Sequence, residues 1–141
     1  MNAHIKYVDG LTFVGKGDSN HWVTMDASPK AGGSGAGTSP MELLLLSVGG
    51  CTAVDVINML KKRKKQVDKF DVELSAKRAD THPKVYTEIH LTYKFWGKDL
   101  TEKEVRRAID LSKSKYCSAS IMLGKTARIT YDFFINPENS G

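Results

Sequence analysis

The run from Ser39 to Leu60 constrains this chain more than any other stretch. Ser39 fits a helix N-cap, Pro40 fits the first helical position, and Glu42 completes a capping box three residues on. The body that follows is apolar on nearly every face. A helix of that kind must be covered all round, by a core or by a membrane. Glu42, Ser47, two glycines, Thr52, Asp55 and Asn58 interrupt it, and no second apolar run exists. A carboxylate at membrane depth is costly. The segment therefore reads as the central pillar of a soluble protein. A chain of 141 residues is small for covering such a helix completely, so a partner subunit can supply part of the cover.

Elsewhere the pattern alternates between strand and helix. Residues 3–9, 11–16 and 21–26 read as a three-stranded meander. Residues 69–79 and 86–96 alternate strictly, with Ile89, Leu91, Tyr93 and Phe95 on the inward face of the second strand. Thr101 and Glu104 form a second capping box, and the helix they open runs to about Tyr116. Cys117 to Leu123 reads as a short helix closed by Gly124, and residues 127–135 as a last strand. The order βββ–α–ββ–αα–β predicts a single α+β domain, with antiparallel sheet on a long helix.

Charge and composition exclude little. The net charge of +5 comes from 21 Lys and Arg against 16 Asp and Glu. That is enough to attract anionic ligands and too small to indicate nucleic acid. The stretch Met1 to Lys6 lacks an apolar secretory segment, and the chain has two cysteines. Both point to a cytoplasmic protein, where cysteines serve catalysis or redox chemistry, or are simply buried, more often than they form structural bridges.

Several sites can be set aside on chemistry. His4, His21, His82 and His90 show no helical metal-ligand spacing and no CxxC is present, so no metal and no cofactor is expected. The Gly-rich loop 27–38 precedes a helix but lacks the Gly-Lys-Ser/Thr ending of a phosphate-binding loop. Lys61 to Lys65 suits a helix C-terminus, where cations complement the dipole. The alternative, a nucleic-acid patch, has no interleaved aromatic residues to support it.

Cys51 and Cys117 remain. Each can be a buried small hydrophobe. Three details point further. Cys51 follows Gly49-Gly50, where a backbone or ligand can come close. Cys117 opens a short helix, whose dipole can lower a thiol pKa. Packing the second helical block on the first helix would bring the sulfurs together. Asp55, four residues after Cys51, shares its face and opposes a thiolate there, unless it holds a cation or a donor that sets the pocket.

The run Ser39-Pro40-Met41-Glu42-Leu43, then Gly50-Cys51-Thr52-Ala53, then Lys115-Tyr116-Cys117-Ser118, resembles the OsmC/Ohr superfamily of osmotically induced and organic hydroperoxide resistance proteins, nearest its YhfA-like branch. The resemblance spans essentially the whole chain. It implies an intertwined homodimer with sheets wrapped around long central helices. It also implies a thiol peroxidase in which Cys51 attacks an organic hydroperoxide, Cys117 resolves the sulfenic acid, and a dithiol reductant restores the pair. The better-studied members activate the first cysteine with an arginine and a glutamate. Here the glutamate position is Met41. Glu42 lies one residue on, about 100° around the helix. No arginine occurs between Met1 and Lys62.

The expected function is thus a thiol-dependent redox protein acting on organic hydroperoxides through Cys51 and Cys117. The alternative is a non-enzymatic protein that binds an apolar or acyl ligand. Met41, Glu42 and Asp55 are its pocket candidates. A nucleic-acid module on Lys61 to Lys65 is a third, more distant reading.

Overall fold

Apolar–polar alternation places the strands where the sequence predicts them, and the computed structural model of the chain describes residues 1–138. Two compact units result, Met1–Leu46 and a second beginning at Ser47. In the first, β1 (Ala3–Asp9), β2 (Thr12–Gly17) and β3 (Val23–Met25) form an antiparallel sheet in the order β1-β2-β3. Gly10, at φ +54°, makes the turn between β1 and β2. The loop after β3 holds one 3₁₀ turn, Pro29–Ala31.

The long helix α1 runs Pro40–Lys62 and crosses from the first unit into the second. Its start is the expected capping box. Ser39 N–H donates to Glu42 Oε2 at 2.8 Å, and Glu42 N–H donates to Ser39 Oγ at 3.3 Å. Only one stripe of it is buried: Val48, Gly49, Thr52, Val56 and Leu60, at helical spacing. Leu46 and Val54 stay 60% and 62% exposed. By length and composition alone α1 could cross a membrane. Its buried stripe carries a hydrogen-bonded Thr52 and packs in a protein core.

The second unit is built on β4 (Lys69–Arg78), β5 (Tyr86–Trp96) and β6 (Arg128–Ile135), in the order β4-β5-β6. Ile89, Leu91, Tyr93 and Phe95 of β5 are buried, as the alternation predicts. Phe70 stacks on Phe95 with centroids 4.6 Å apart, and Tyr93 meets Tyr131 edge-on at 6.0 Å. Gly49 gives α1 its close approach to this sheet, because a Cβ there would lie 2.7 Å from Leu74 Cδ1.

Two expectations are corrected. The sheet is not antiparallel throughout: β4 and β5 pair antiparallel, whereas β5 and β6 pair parallel, Ile89 opposite Ile129 and Phe95 opposite Ile135. The helical block between them is a crossover connection, which returns the chain to the starting end of the sheet. The helix after Thr101 also changes its winding before it reaches Tyr116. α2 spans Glu102–Leu111, and Ser112–Tyr116 form a wider π turn before α3 (Ser118–Leu123). Cys117 N–H closes that turn on Ser112 C=O at 2.7 Å. Ser114 Oγ donates back to Asp110 C=O at 2.7 Å, a side-chain competitor for backbone groups in this polar segment.

Candidate functional site

The flank of the buried stripe of α1 and the end of the π turn bring three side chains together. Cys51 and Asp55 stand one turn apart on α1, and Cys117 is the N-cap of α3. Their ligand atoms (two Sγ and a carboxylate oxygen) all lie within 4.8 Å of one another. Both cysteines are free thiols. Cys117 is wholly buried, whereas Cys51 and Asp55 are half-buried, so the cluster opens on one side.

The dipole expectation for Cys117 does not survive. Its Sγ does accept from Ser120 N–H at 3.4 Å and from Ser120 Oγ–H at 3.0 Å. Burial nevertheless outweighs those donors and pushes the Cys117 thiol up, with the neighbouring Cys51 adding to the rise. A single short turn of helix cannot offset the loss of water around a fully enclosed sulfur.

Behind the cluster lies a buried hydroxyl chain that the sequence reading does not anticipate. Tyr93 Oη meets Thr52 Oγ1 at 2.8 Å, Thr52 Oγ1 meets Ser112 Oγ at 2.9 Å, and Ser112 Oγ donates to Asp55 Oδ2 at 2.9 Å. Counting protons sets its direction. A carboxylate only accepts, so Ser112 gives its one proton to Asp55. Thr52 must then donate to Ser112, and Tyr93 to Thr52. Burial raises the Tyr93 phenol to about 12, which keeps its donor proton in place. The available signal was modest: Thr52 lies three residues before Asp55 on an apolar helix, and Tyr93 is the polar tip on an apolar strand face.

Met41 and Glu42 belong to the first unit. Glu42 is engaged in the capping box, where Ser39 holds its carboxyl below the ordinary range. The Gly-rich loop is wrapped around a carboxylate of the protein itself. Asp26 Oδ2 accepts from Ser34 N–H at 3.3 Å, Ser34 Oγ–H, Ala36 N–H at 3.0 Å and Thr12 Oγ–H at 3.0 Å. Two of the loop's amides, those of Ser34 and Ala36, are thereby occupied. In the basic run, Lys64 takes φ +58° at the helix end and Lys65 pairs with Glu104 at 3.2 Å, in keeping with a helix terminus.

The fold and the cluster define an α+β protein with two free thiols held beside a carboxylate. The sequence model of the OsmC-like protein family matches residues 32–132, and the chain belongs to that family. It is 41% identical to Protein YhfA of Escherichia coli over 134 residues, covering 94% of this chain and 96% of that one. It also resembles the crystal structure of a hypothetical protein from Aquifex aeolicus, at 33% identity and TM-score 0.80, with 96% and 97% of the two chains covered. The organic hydroperoxide resistance protein OhrB of Bacillus subtilis shares the fold at TM-score 0.61 and 15% identity, over 95% and 98% of the chains.

Proposed function

We propose that this protein is a two-cysteine thiol redox protein that reduces organic hydroperoxides. The observation that carries the reading is the convergence of Cys51 and Cys117 from distant segments into one half-open cluster. The family includes organic hydroperoxide resistance proteins, which supports the choice of substrate class.

In this reading the half-buried Cys51 is the nucleophile. It loses its proton to solvent, and its sulfur attacks the outer oxygen of ROOH. The S–O bond forms, the O–O bond breaks, and RO⁻ leaves. The buried Cys117 thiol, which holds its proton firmly, delivers it to the alkoxide to give ROH. The Cys117 thiolate so formed attacks the Cys51 sulfenic sulfur and expels hydroxide, which solvent protonates. A disulfide needs the sulfurs about 2.0 Å apart, so the pair closes during this step. A dithiol then returns two electrons and two protons. Met41 stands at the glutamate position of the better-studied members, and an activating arginine would have to come from beyond Lys62 or from a second copy.

A homodimer belongs to the same reading. Tyr7, Trp22, Leu46 and Val54 are exposed apolar or aromatic side chains on the single chain, and a second copy covers them. A cytoplasmic location supplies the reducing compartment this chemistry needs.

The test is intact-mass analysis after thiol labelling, before and after one equivalent of cumene hydroperoxide. Both thiols should become blocked, a dithiol should restore them, and Cys51→Ser should abolish peroxide consumption. Thiols that stay reduced would sink the reading.

The second reading, a binding protein for an apolar or acyl ligand, is favoured by Met41, an apolar side chain where the better-studied members carry an acid. A small molecule reproducibly retained in native mass spectrometry supports it, and clean apo protein counts against it.

A further inference from the structure

Cys51, Asp55 and Cys117 form a group in which every member becomes an anion or a soft donor on deprotonation. None of the ion pairs among the described residues involves Asp55. A cation is the partner such a group lacks. We propose that Cys51, Asp55 and Cys117 are a three-ligand site for a thiophilic divalent cation of the zinc class.

Geometry supports the assignment. The three ligand atoms come from two rigid sources, one face of α1 and the N-cap of α3, and already lie within 4.8 Å of one another. Tetrahedral zinc holds sulfur at about 2.3 Å and carboxylate oxygen at about 2.0–2.2 Å, which puts neighbouring ligand atoms about 3.3–3.8 Å apart. A contraction of about 1 Å, within reach of side-chain torsions, closes the site around the ion. Three protein ligands leave a fourth position, on the side where Cys51 and Asp55 are half-exposed. Two sulfurs and one oxygen select zinc or a similar soft ion over magnesium or calcium.

The surroundings match a ligated state. Metal ligands are oriented by outer hydrogen bonds that support their deprotonated forms. Ser112 Oγ–H already points at Asp55 Oδ2, and Ser120 N–H and Oγ–H already point at Cys117 Sγ. Thr52 and Tyr93 fix Ser112 in that donor role. The site uses none of the four histidines and no CxxC pair. Peroxide turnover is not required for it. With zinc bound, both sulfurs are engaged, so the metal and the disulfide exclude each other.

The test uses reduced, chelator-treated protein under anaerobic conditions. Titration with Zn²⁺ against a chromophoric indicator should give one ion per chain. Titration with Co²⁺ should give thiolate-to-cobalt charge transfer and tetrahedral bands. Zn²⁺ should shield both cysteines of the unaltered protein from alkylation, and chelator should remove the shield. Cys51→Ser and Cys117→Ser should each lose the charge-transfer intensity of one sulfur. Asp55→Asn should weaken zinc by at least about tenfold, and Ser112→Ala by roughly tenfold or more. Asp55→Asn should at the same time keep the far-UV circular dichroism and the thermal midpoint of the metal-free parent, which a misfolded variant would not. An octahedral Co²⁺ spectrum, unshielded thiols in the unaltered protein, or zinc affinity unchanged by Asp55→Asn would overturn the site. Failure here leaves the hydroperoxide reading standing, and failure of peroxide reduction leaves the metal site standing.

Discussion

Ser112 Oγ–H donates a hydrogen bond to Asp55 Oδ2 at 2.9 Å, at the point where α2 ends and the π turn begins. That one bond ties the carboxylate beside the two thiols to Thr52 and Tyr93 in the core. Ser112 is fully buried and Thr52 only 1% exposed.

The chain should therefore be sensitive to Ser112 and less so to its far end. Ser112→Ala leaves Asp55 without its donor and Thr52 without its acceptor, and should cost about 1–3 kcal/mol. Tyr93→Phe removes only the terminal donor and should cost about 1 kcal/mol. Urea midpoints of the two variants check the order; equal losses would contradict the directed chain.

The two thiols differ in exposure, Cys51 half-buried and Cys117 wholly buried. In the metal-free protein, iodoacetamide should alkylate the remaining thiol of Cys117→Ser at least about tenfold faster than that of Cys51→Ser. The modification rate, followed by intact mass, gives the answer directly.

The adjacent glycines should respond in opposite ways. A Cβ at Gly49 meets Leu74 Cδ1 at 2.7 Å, and one at Gly50 meets nothing within 4 Å. Gly49→Ala should destabilise by about 1–3 kcal/mol through overpacking. Gly50→Ala should stabilise by up to about 1 kcal/mol through helix propensity. If Gly50→Ala instead loses stability and weakens self-association, a second copy covers that face.

Asp26 should shape the acid limb of stability. The Ser34 hydroxyl, then the Ala36 amide, hold its carboxyl down to about 2 against the opposing effect of burial. Its folded value lies below the ordinary one near about 3.9, so its contribution is complete above that pH and fades as pH falls toward about 2. Asp26→Asn should be less stable than the parent at neutral pH, and the gap should narrow between about pH 4 and pH 2. Thermal midpoints across that range measure it.

Much of this was legible in the sequence because it is local. The Ser39–Glu42 box, the alternation of Ile89 to Phe95 and the Thr101–Glu104 cap each depend on residues a few positions apart. The shared face of Cys51 and Asp55 follows from the helix period alone. Other features needed distant partners. The same apolar periodicity that predicts one helix to Tyr116 does not register Ser114 bonding back to Asp110, so the π turn was missed. Alternation within β6 is equally compatible with either direction of pairing, and only the crossover made it parallel to β5.

The sequence by itself determined where the helices start, which strand faces turn inward, and that one thiol lies within a helix after two glycines and the other at a helix start before a serine. It also showed that no arginine precedes Arg63 and that position 41 is an apolar Met. The tertiary structure decided that Cys51, Asp55 and Cys117 meet, that burial overrides the helix end at Cys117, and that Tyr93, Thr52 and Ser112 stand behind the carboxylate. The division has a physical cause. Hydrogen bonds and periodicity within one element act over one or two turns, whereas dielectric environment and proximity of distant groups exist only once the core has closed around them.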